Sequence, residues 1–528
     1  MIDEGLPLLE RITDYLAWYA ARTPAAEALV LGSRRIRYAD LRREVDALAR
    51  SLLASGVRAG DRVATLETPH PDFFIAFLAT ASIGAIWVGL NPRYQRDELA
   101  FVLGDSRPAL VLCRTRIGGR DYSTDILAFR AALPVSRWVV LGDDPRTEGC
   151  ERFADFIDAG ARISAEELGR QRATVQASDP AVIIYTSGST GRPKGALLTH
   201  HGLVVCCRVQ HRFWGTKPLR ALNFFPINHI ACLGDISSFA LVGGGCTVFL
   251  EQFEPGACLA LIAAERVTLW GGVPTTFLLA LRDPSFVTAD LSSVQKIVWS
   301  GAGASAELVN ALGNLGKWLG TSYGLTETVG SVTFTAPDAS RATLIGSVGR
   351  PPEEYEFRLV DDAGHPAAPG DAGEIQVRGN FVMKGYWQQP EASAAAFDVD
   401  GWLRTGDLAR QLPDGNVVLV GRRQEVFKSG GYNVYPREVE QVLEQRPGVK
   451  LAAVIAVPDD IYGAVGHAFV VPDLPGTVGE AELAAHCRGQ LANYKVPKRF
   501  TVLADPPMLP VGKIDKRELA RRAASAAR

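Results

Sequence analysis

The run Tyr185–Gly195, YTSGSTGRPKG, carries three glycines, four serine or threonine hydroxyls and a lysine within eleven residues. It follows the apolar run AVIIY and precedes ALLTHHGL, so a strand leads into a loop. Glycine lets a backbone approach phosphate oxygens closely, and successive amide N–H groups form a nest for anions. Thr186, Ser187, Ser189 and Thr190 add hydroxyl donors around Gly188 and Gly191, and Lys194 adds positive charge. The chemistry this run suits is the cradling of phosphates. A Walker A loop is excluded, because the second required glycine is replaced by Pro193. A flexible surface linker is the alternative, and the leading strand and the Pro-Lys-Gly end weigh against it.

No nucleophile elbow and no Cys/His pairing signature accompanies this loop. The eight cysteines, Cys113, Cys150, Cys206, Cys207, Cys232, Cys246, Cys258 and Cys487, include no Cys-x-x-Cys pair, which argues against a zinc or redox motif. Scattered free thiols point to a reducing compartment, hence a cytoplasmic location. The formal net charge of -2 supplies no field that would draw nucleic acid or an anionic membrane. The start, MIDEGLPLLERITDYL, is acidic and lacks a basic-then-apolar leader pattern. Phe73–Leu90, FFIAFLATASIGAIWVGL, is uncharged and near the lower length of a membrane span. Gly84 and the β-branched, aromatic run after it predict instead a buried helix, a turn and a buried strand.

At 528 residues the chain exceeds the size at which single cores stop growing, about 250–300 residues. Residues 28–180 alternate predicted strands (VATLE, AIWVGL, ALVLC, RWVVLG) with predicted helices (Tyr38–Ser55, AFLATAS). That alternation favours parallel α/β layers, and a second α/β stretch is expected from Ala181 to Tyr323. From Gly346 to Val420, glycines and prolines separate short alternating runs such as EIQVRG and NVVLVG, which predicts a small β-rich piece. The last hundred residues predict strands at LAAVIAVPD and HAFVVPD and helices at Pro436–Gln445 and Glu480–Leu491. The expected class is α/β: an N-terminal domain, 1–421, of two α/β subdomains and a β-rich subdomain, then a small α+β domain, 422–528. The break falls at Gly421-Arg422-Arg423-Gln424, a polar interval between apolar strands.

YTSGSTGRPKG resembles the phosphate loop of the adenylate-forming superfamily. That superfamily holds acyl-CoA synthetases, firefly-type luciferases and the adenylation domains of nonribosomal peptide synthetases. The resemblance runs through the chain in order, from GAIWVGLNPRY to GKIDKREL, and is strongest to a stand-alone acyl-CoA synthetase. It implies that ATP or AMP is bound by Thr186, Ser187, Gly188, Ser189, Thr190, Gly191 and Lys194. Ser322, Tyr323, Gly324 and Thr326 of YGLTET would join them, the Tyr323 ring offering adenine a stacking face. Glu327 is a hard oxygen ligand suited to Mg²⁺ on the phosphates. Taken alone, YGLTE is equally a turn before a helix capped by Thr326. Gly301, Ala302 and Gly303 of SGAGASA imitate a dinucleotide fingerprint, but in the superfamily such a turn lines adenine and the acyl pocket. By the same resemblance Asp407 accepts from the ribose hydroxyls and Arg422 helps hold them.

Lys513 matches the superfamily's C-terminal catalytic lysine, which reaches the α-phosphate and the carboxylate. His229 in FFPINHIACLG matches the histidine at the mouth of the acyl pocket, with Asn228, Cys232 and Gly324 as further substrate contacts. Asn228 and Cys232 depart from the small or aromatic residues expected beside it. The C-terminal domain is expected to be mobile, turning about a hinge at Gln424 between half-reactions. Lys428, Ser429, Gly430, Gly431 and Lys498 are the expected coenzyme A contacts.

A carboxylate is a poor electrophile; joining it to AMP with release of pyrophosphate creates a leaving group that a thiol can displace. The implied activity is an ATP-dependent, Mg²⁺-requiring acid–coenzyme A ligase acting on a small fatty or aromatic acid. Three other readings stand beside it. One is a stand-alone adenylation enzyme loading a carrier protein. Another is adenylation of a different oxyacid, such as nitrite for diazotisation of an aryl amine. The last is a nucleotide-binding regulator, which retention of Glu327 and Lys513 disfavours. A carrier protein and a second copy of the chain are the macromolecular partners left open.

Overall fold

A computed structural model describes residues 5–135, 137–142, 147–186, 193–430, 432–474, 476–508 and 514–526 of the chain. The apolar stretch from Phe73 onward forms the helix Pro71–Ser82, a turn, and the strand Ile86–Leu90, as its sequence predicts. Pro71 opens the helix, where its missing N–H costs nothing. The ring of His70 accepts from the Asp72 amide at 3.1 Å, closing an otherwise unpaired donor. Gly84 ends it at φ +80°, and a Cβ there would stand 3.1 Å from that of Ala59. Only Asp72 of the helix escapes burial. A helix apolar on all sides needs cover on all sides, and two sheets supply it. The Phe73 ring lies 5.9 Å from Trp87 and 5.8 Å from Phe249, and these two residues belong to different sheets.

The sheet holding Trp87 has seven strands, in the order Lys194–Thr199, Pro180–Thr186, Ile86–Leu90, Arg62–Leu66, Leu110–Cys113, Arg137–Val140 and Glu151–Arg152. All neighbours are parallel except the first pair. The sheet holding Phe249 has eight, in the order Gly330–Phe334, Trp318–Leu325, Lys296–Trp299, Leu269–Gly272, Arg220–Asn223, Cys246–Phe249, Glu27–Leu31 and Arg34–Arg37. It is parallel inside, with an antiparallel pair at each edge. The two α/β units therefore do not divide at Ala181. The hairpin Glu27–Arg37 joins the later strands, and the hairpin Pro180–Thr199 joins the earlier ones.

Strands Glu356–Val360, Gly373–Arg378, Leu403–Gln411 and Val417–Arg422 form an antiparallel sheet in chain order, the β-rich piece its punctuation predicts. Arg423–Glu425 is a 3₁₀ turn, after which Phe427–Ser429 opens the last sheet. That sheet pairs Val449–Asp459 with Gly463–Pro472 along their length, and Arg499–Val502 joins in parallel. Helices Pro436–Glu444, Glu480–Gln490 and Lys516–Ala526 complete a small α+β unit. The fold is thus a large N-terminal α/β region with a smaller C-terminal α+β domain. Among the described residues, no helix is long and apolar enough to cross a membrane.

Phe73 is fully buried at the meeting of both large sheets. Phe73→Ala should destabilise the protein by about 3–5 kcal/mol, the usual range for an unfilled aromatic site. Val399→Ala, at a fully exposed side chain, should stay within about 0.5 kcal/mol. Denaturant midpoints compared at unchanged slope check both values.

Candidate active site

The strands Pro180–Thr186 and Lys194–Thr199 bring Thr186 opposite Lys194, so the two stems of the phosphate loop are registered by backbone pairing. Ser187, Gly188, Ser189, Thr190 and Gly191 lie outside the described residues. Lys194 Nζ stands 5.1 Å from the centre of the Tyr386 ring, an attractive cation–π distance. The Tyr386 hydroxyl donates to Glu327 Oε1 at 2.9 Å. Burial, then the neighbouring Glu327 charge, push the Tyr386 phenol well above its ordinary range, so it stays a donor. Lys194, Tyr386 and Glu327 form one chain of contacts at the base of the loop. Tyr386 carried no signal in sequence; an isolated backbone bridge to Ala196 brings it there.

Glu327 lies in the turn between the strands Trp318–Leu325 and Gly330–Phe334. The turn joins a β-hairpin, so Thr326 does not cap a helix. The Thr328 hydroxyl receives the Leu325 amide at 2.9 Å and donates to the Gly330 carbonyl at 2.7 Å. Val329 is held at φ +58°, a costly angle for a β-branched residue. Gly324 meets the opposite strand so closely that a Cβ would stand 2.0 Å from the Gly330 carbonyl oxygen. Within the hairpin, Gly324–Glu327 keep open surface while Ser322, Tyr323 and Thr328–Gly330 are buried. The Ser322 hydroxyl shares a 2.8 Å hydrogen bond with Ser331.

Tyr323 and Asp407 come together across two sheets. The Tyr323 hydroxyl donates to Asp407 Oδ2 at 2.8 Å, and Arg422 Nε lies 3.1 Å from Oδ1. Asp407 and Arg422 are also register partners in the four-stranded sheet. Asp407 is 7 % exposed and Tyr323 6 %. Burial, then the Asp407 charge, hold the Tyr323 phenol far above its ordinary range. The Asp407 charge in turn raises Arg422, which also feels Glu327. This burial covers most of the Tyr323 ring that was expected to receive a base. Its visible role is to orient Asp407.

Gly301, Ala302 and Gly303 form an exposed turn after the strand Lys296–Trp299. Gly301 sits at φ +84°. A Cβ on Gly303 would stand 3.2 Å from Arg437 Nη2, so the C-terminal domain reaches this turn. In the expected acid site, His229 Nδ1 accepts from the Ala231 amide at 3.1 Å. Asn228 Nδ2 donates to Tyr94 at 3.2 Å, while its buried Oδ1 has no partner among the described residues. Cys232 is fully buried in the main apolar core. Residues Ala231–Ser238 wind as a π-helix, and the residues of it that keep open surface are Ala231 and Asp235.

In the C-terminal domain, Gln424 is exposed within the 3₁₀ turn. Its neighbour Glu425 pairs with Lys516 at 2.5 Å, and Lys516 also meets Glu440 at 2.7 Å. Lys428 and Gly430 are exposed, and Ser429 is buried. Lys498 Nζ lies 5.6 Å from the Tyr462 ring centre. Gly431 and Lys513 lie outside the described residues.

Glu327 suits a Mg²⁺ ion: one oxygen is oriented by Tyr386, and among the described residues no hydrogen-bond donor holds the other. Glu67, His70 and Asp72 also converge like metal ligands, but cations already face them. Arg114 pairs with Glu67 and, at 3.1 Å, with Asp72, and Arg34 meets Asp72 at 2.5 Å. Burial nevertheless lifts the Glu67 carboxyl to about 7. The trio belongs to an internal ion network.

Residues 16–387 match the family model described as AMP-binding enzyme, and residues 438–513 match that of the AMP-binding enzyme C-terminal domain. The chain is 37 % identical over 504 residues to a feruloyl-CoA synthase of Amycolatopsis sp, covering 95 % of this chain and 97 % of that one. It is 32 % identical to an indoleacetate–CoA ligase of Aromatoleum aromaticum, over 96 % of each chain. Among solved structures it is similar to ATP-bound MatB from Rhodopseudomonas palustris, at 29 % identity and TM-score 0.84, covering 98 % of this chain and 99 % of that one. It is also similar to the anthranilate CoA ligase AuaEII in complex with anthranoyl-AMP, at 26 % identity and TM-score 0.87 over 100 % of both chains. An amide bond synthetase, McbA from Marinactinospora thermotolerans, aligns over 97 % of this chain and 99 % of its own, at 28 % identity and TM-score 0.83. A shared fold along the whole length, with the loop stems, the Glu327 hairpin and Asp407 gathered in one place, leads to one conclusion: the chain belongs to the AMP-binding enzymes, the adenylate-forming superfamily of acyl-CoA synthetases and amide bond synthetases.

Proposed function

We propose that this enzyme is an ATP-dependent acid–coenzyme A ligase, forming an acyl-adenylate and then a thioester on an aromatic or fatty acid. The observation that carries the reading is the buried Asp407 carboxylate, held at both oxygens by Tyr323 and Arg422. Beside it stands the Glu327–Tyr386–Lys194 chain. A fixed carboxylate can accept from two vicinal hydroxyls, which suits a ribose. Phosphates would then run toward Thr186, Lys194 and the loop Ser187–Gly191. Relatives named for ferulate, indoleacetate and anthranilate favour an aromatic acid.

In this reading the open turn Gly301–Gly303 and Gly324 flank the adenylate, and His229 with Asn228 orients the acid. Thr326 donates to a phosphate oxygen. Mg²⁺ at Glu327, when bound, offsets phosphate charge. Lys513 supplies the mobile positive charge at the α-phosphate during adenylation. The domains meet between Gly421 and Arg422, and the C-terminal one turns about Gln424. Exchange of the lysine loop for Ser429–Gly431 then opens the path for coenzyme A, whose phosphates meet Lys428 and Lys498. The enzyme works in the cytoplasm.

Incubation with ATP, Mg²⁺ and a panel of acids should yield AMP and pyrophosphate, with turnover lost on chelation of Mg²⁺. Chromatography of the nucleotide decides the matter, and ADP formed with a turned-over acid would sink the mechanism. Omitting coenzyme A should leave the adenylate as product; full turnover without it would move the acceptor to an amine or a carrier thiol.

Asp407→Ala should lower kcat/KM for ATP by roughly 10- to 150-fold, the equivalent of about 1.5–3 kcal/mol for a charge-assisted hydrogen bond. It should also erase discrimination between ATP and 2′-deoxy-ATP. Because Ala leaves Tyr323 and Arg422 without a partner, Asp407→Asn and melting curves accompany it. Discrimination that survives in folded variants counts against the ribose role.

Lys513 should act only in adenylation and Gly431 only in thiol transfer. Lys513→Ala should lose most adenylate formation yet still convert supplied acyl-adenylate and coenzyme A to thioester, and Gly431→Trp should do the reverse. Single-turnover assays of each half-reaction on folded variants test this. Equal loss of both steps in both variants would reject the domain exchange.

A further inference from the structure

Asp235 sits where a carboxylate is expensive. It lies on the π-helix Ala231–Ser238 one turn beyond Ala231, between stretches that are fully buried. Gln210 Nε2 donates to its Oδ1 at 2.6 Å. Gln210 is 1 % exposed and belongs to the helix His200–Trp214, so the donor is rigidly placed. A Cβ on Gly330 would stand 2.5 Å from the same oxygen, so the carboxyl packs against the residue that closes the Gly324–Glu327 turn. Among the described residues no cation pairs with Asp235, and its Oδ2 has no hydrogen-bond partner. Oδ2 is not sealed from water either, because the residue keeps open surface on the face shared with Ala231.

Burial lifts this carboxyl to about 7, with Gln210 opposing the shift. One neutral donor does not offset the loss of water around a carboxylate. Apolar packing at this point would be the cheaper way to line a pocket. The carboxyl lies between the π-helix and the hairpin, against Gly330, beside the turn Gly324–Glu327 where the ligase reading puts the acid. The acid's own carboxylate is an unsuitable neighbour, because two carboxylates in a shared site repel and one is forced to protonate. The group that completes Asp235 is therefore a hydrogen-bond donor at the other end of the substrate.

Resting on the ligase reading, we propose that Asp235 is a specificity-determining residue of the acid site, selecting acids whose end remote from the carboxylate carries a hydrogen-bond donor, a hydroxyl or an amine. Acids ending in an apolar group leave Asp235 unpaired, and diacids meet it with like charge. A site built around a buried polar group discriminates strongly against analogues that leave that group unmet.

The test uses the full-length enzyme and a matched set: 3-phenylpropenoate and its ring 3- or 4-substituted hydroxyl, aminomethyl and carboxyl derivatives. Pyrophosphate release gives kcat/KM for each. The wild type should favour the hydroxyl or the aminomethyl acid over the unsubstituted one by at least about tenfold, and should reject the carboxyl acid. Asp235→Leu should remove or invert that preference while still turning over the unsubstituted acid. Asp235→Asn keeps an acceptor and loses the charge, so it should spare a hydroxyl preference and abolish an aminomethyl one. Should the Leu variant not fold, the nearly isosteric Asn variant and the wild-type series carry the test. Equal use of substituted and unsubstituted acids by the wild type overturns the inference. So does a uniform loss on all acids in the folded variants. No pyrophosphate from any acid overturns the ligase reading itself, and the inference falls with it.

Discussion

A carboxylate withdrawn from water is tolerated only when its charge and lone pairs are met inside the protein. Asp407 meets that condition through Tyr323 on one oxygen and Arg422 on the other. Tyr323 belongs to the eight-stranded sheet, and Asp407 and Arg422 belong to the four-stranded one. The interaction therefore fastens the β-rich piece to the large α/β region and fixes the direction of the carboxylate in the same act. Arg422 pairs with Asp407 and feels the Glu327 charge more weakly. Arg422 closes the strand that leads into the turn Arg423–Glu425. Any reorientation of the C-terminal domain about that turn begins one residue away from this anchor.

In the ligase reading the two halves of the site are built on opposite principles. On the nucleotide side the polar groups are already paired with one another: Tyr386 with Glu327, Tyr323 and Arg422 with Asp407. Such groups are preorganised and need little rearrangement when charge arrives. On the acid side the buried groups are incomplete. Among the described residues, Asn228 Oδ1 has no partner and Asp235 has a single neutral donor. Paired groups hold a ligand common to every turnover, while incomplete ones discriminate among ligands.

Local signals were legible where a short run decides the outcome. The unbroken apolarity of Phe73–Leu90 required burial on all sides, and Gly84 marked its turn. The alternating runs EIQVRG and NVVLVG became strands Gly373–Arg378 and Val417–Arg422. Long-range pairing was not legible: nothing in Glu27–Arg37 states that its partner is Cys246–Phe249. At the site, YTSGSTGRPKG announced itself through dense hydroxyls and glycines, while YGLTET and the segment around Asp407 stood out only through the family resemblance. Tyr386 did not, because its position depends on backbone pairing far along the chain. Asp235 did not either, because the resemblance that singled out FFPINHIACLG stops at Gly234, and the surroundings of Asp235 come from Gln210 and Gly330, far away along the chain.

Gly324 lies so close to the Gly330 carbonyl that a single added carbon has no room between them. In the ligase reading one wall of the acid space is therefore closed to mutation at Gly324, since a change there must move backbone. Opposite it, the π-helix carries Ala231 and Asp235, whose side chains keep open surface. Divergence of substrate preference along this lineage would be channelled to that one face, leaving the hairpin as the inherited part. A protein engineer reshaping the enzyme for a new acid would gain most by randomising the helix and leaving the glycine pair intact.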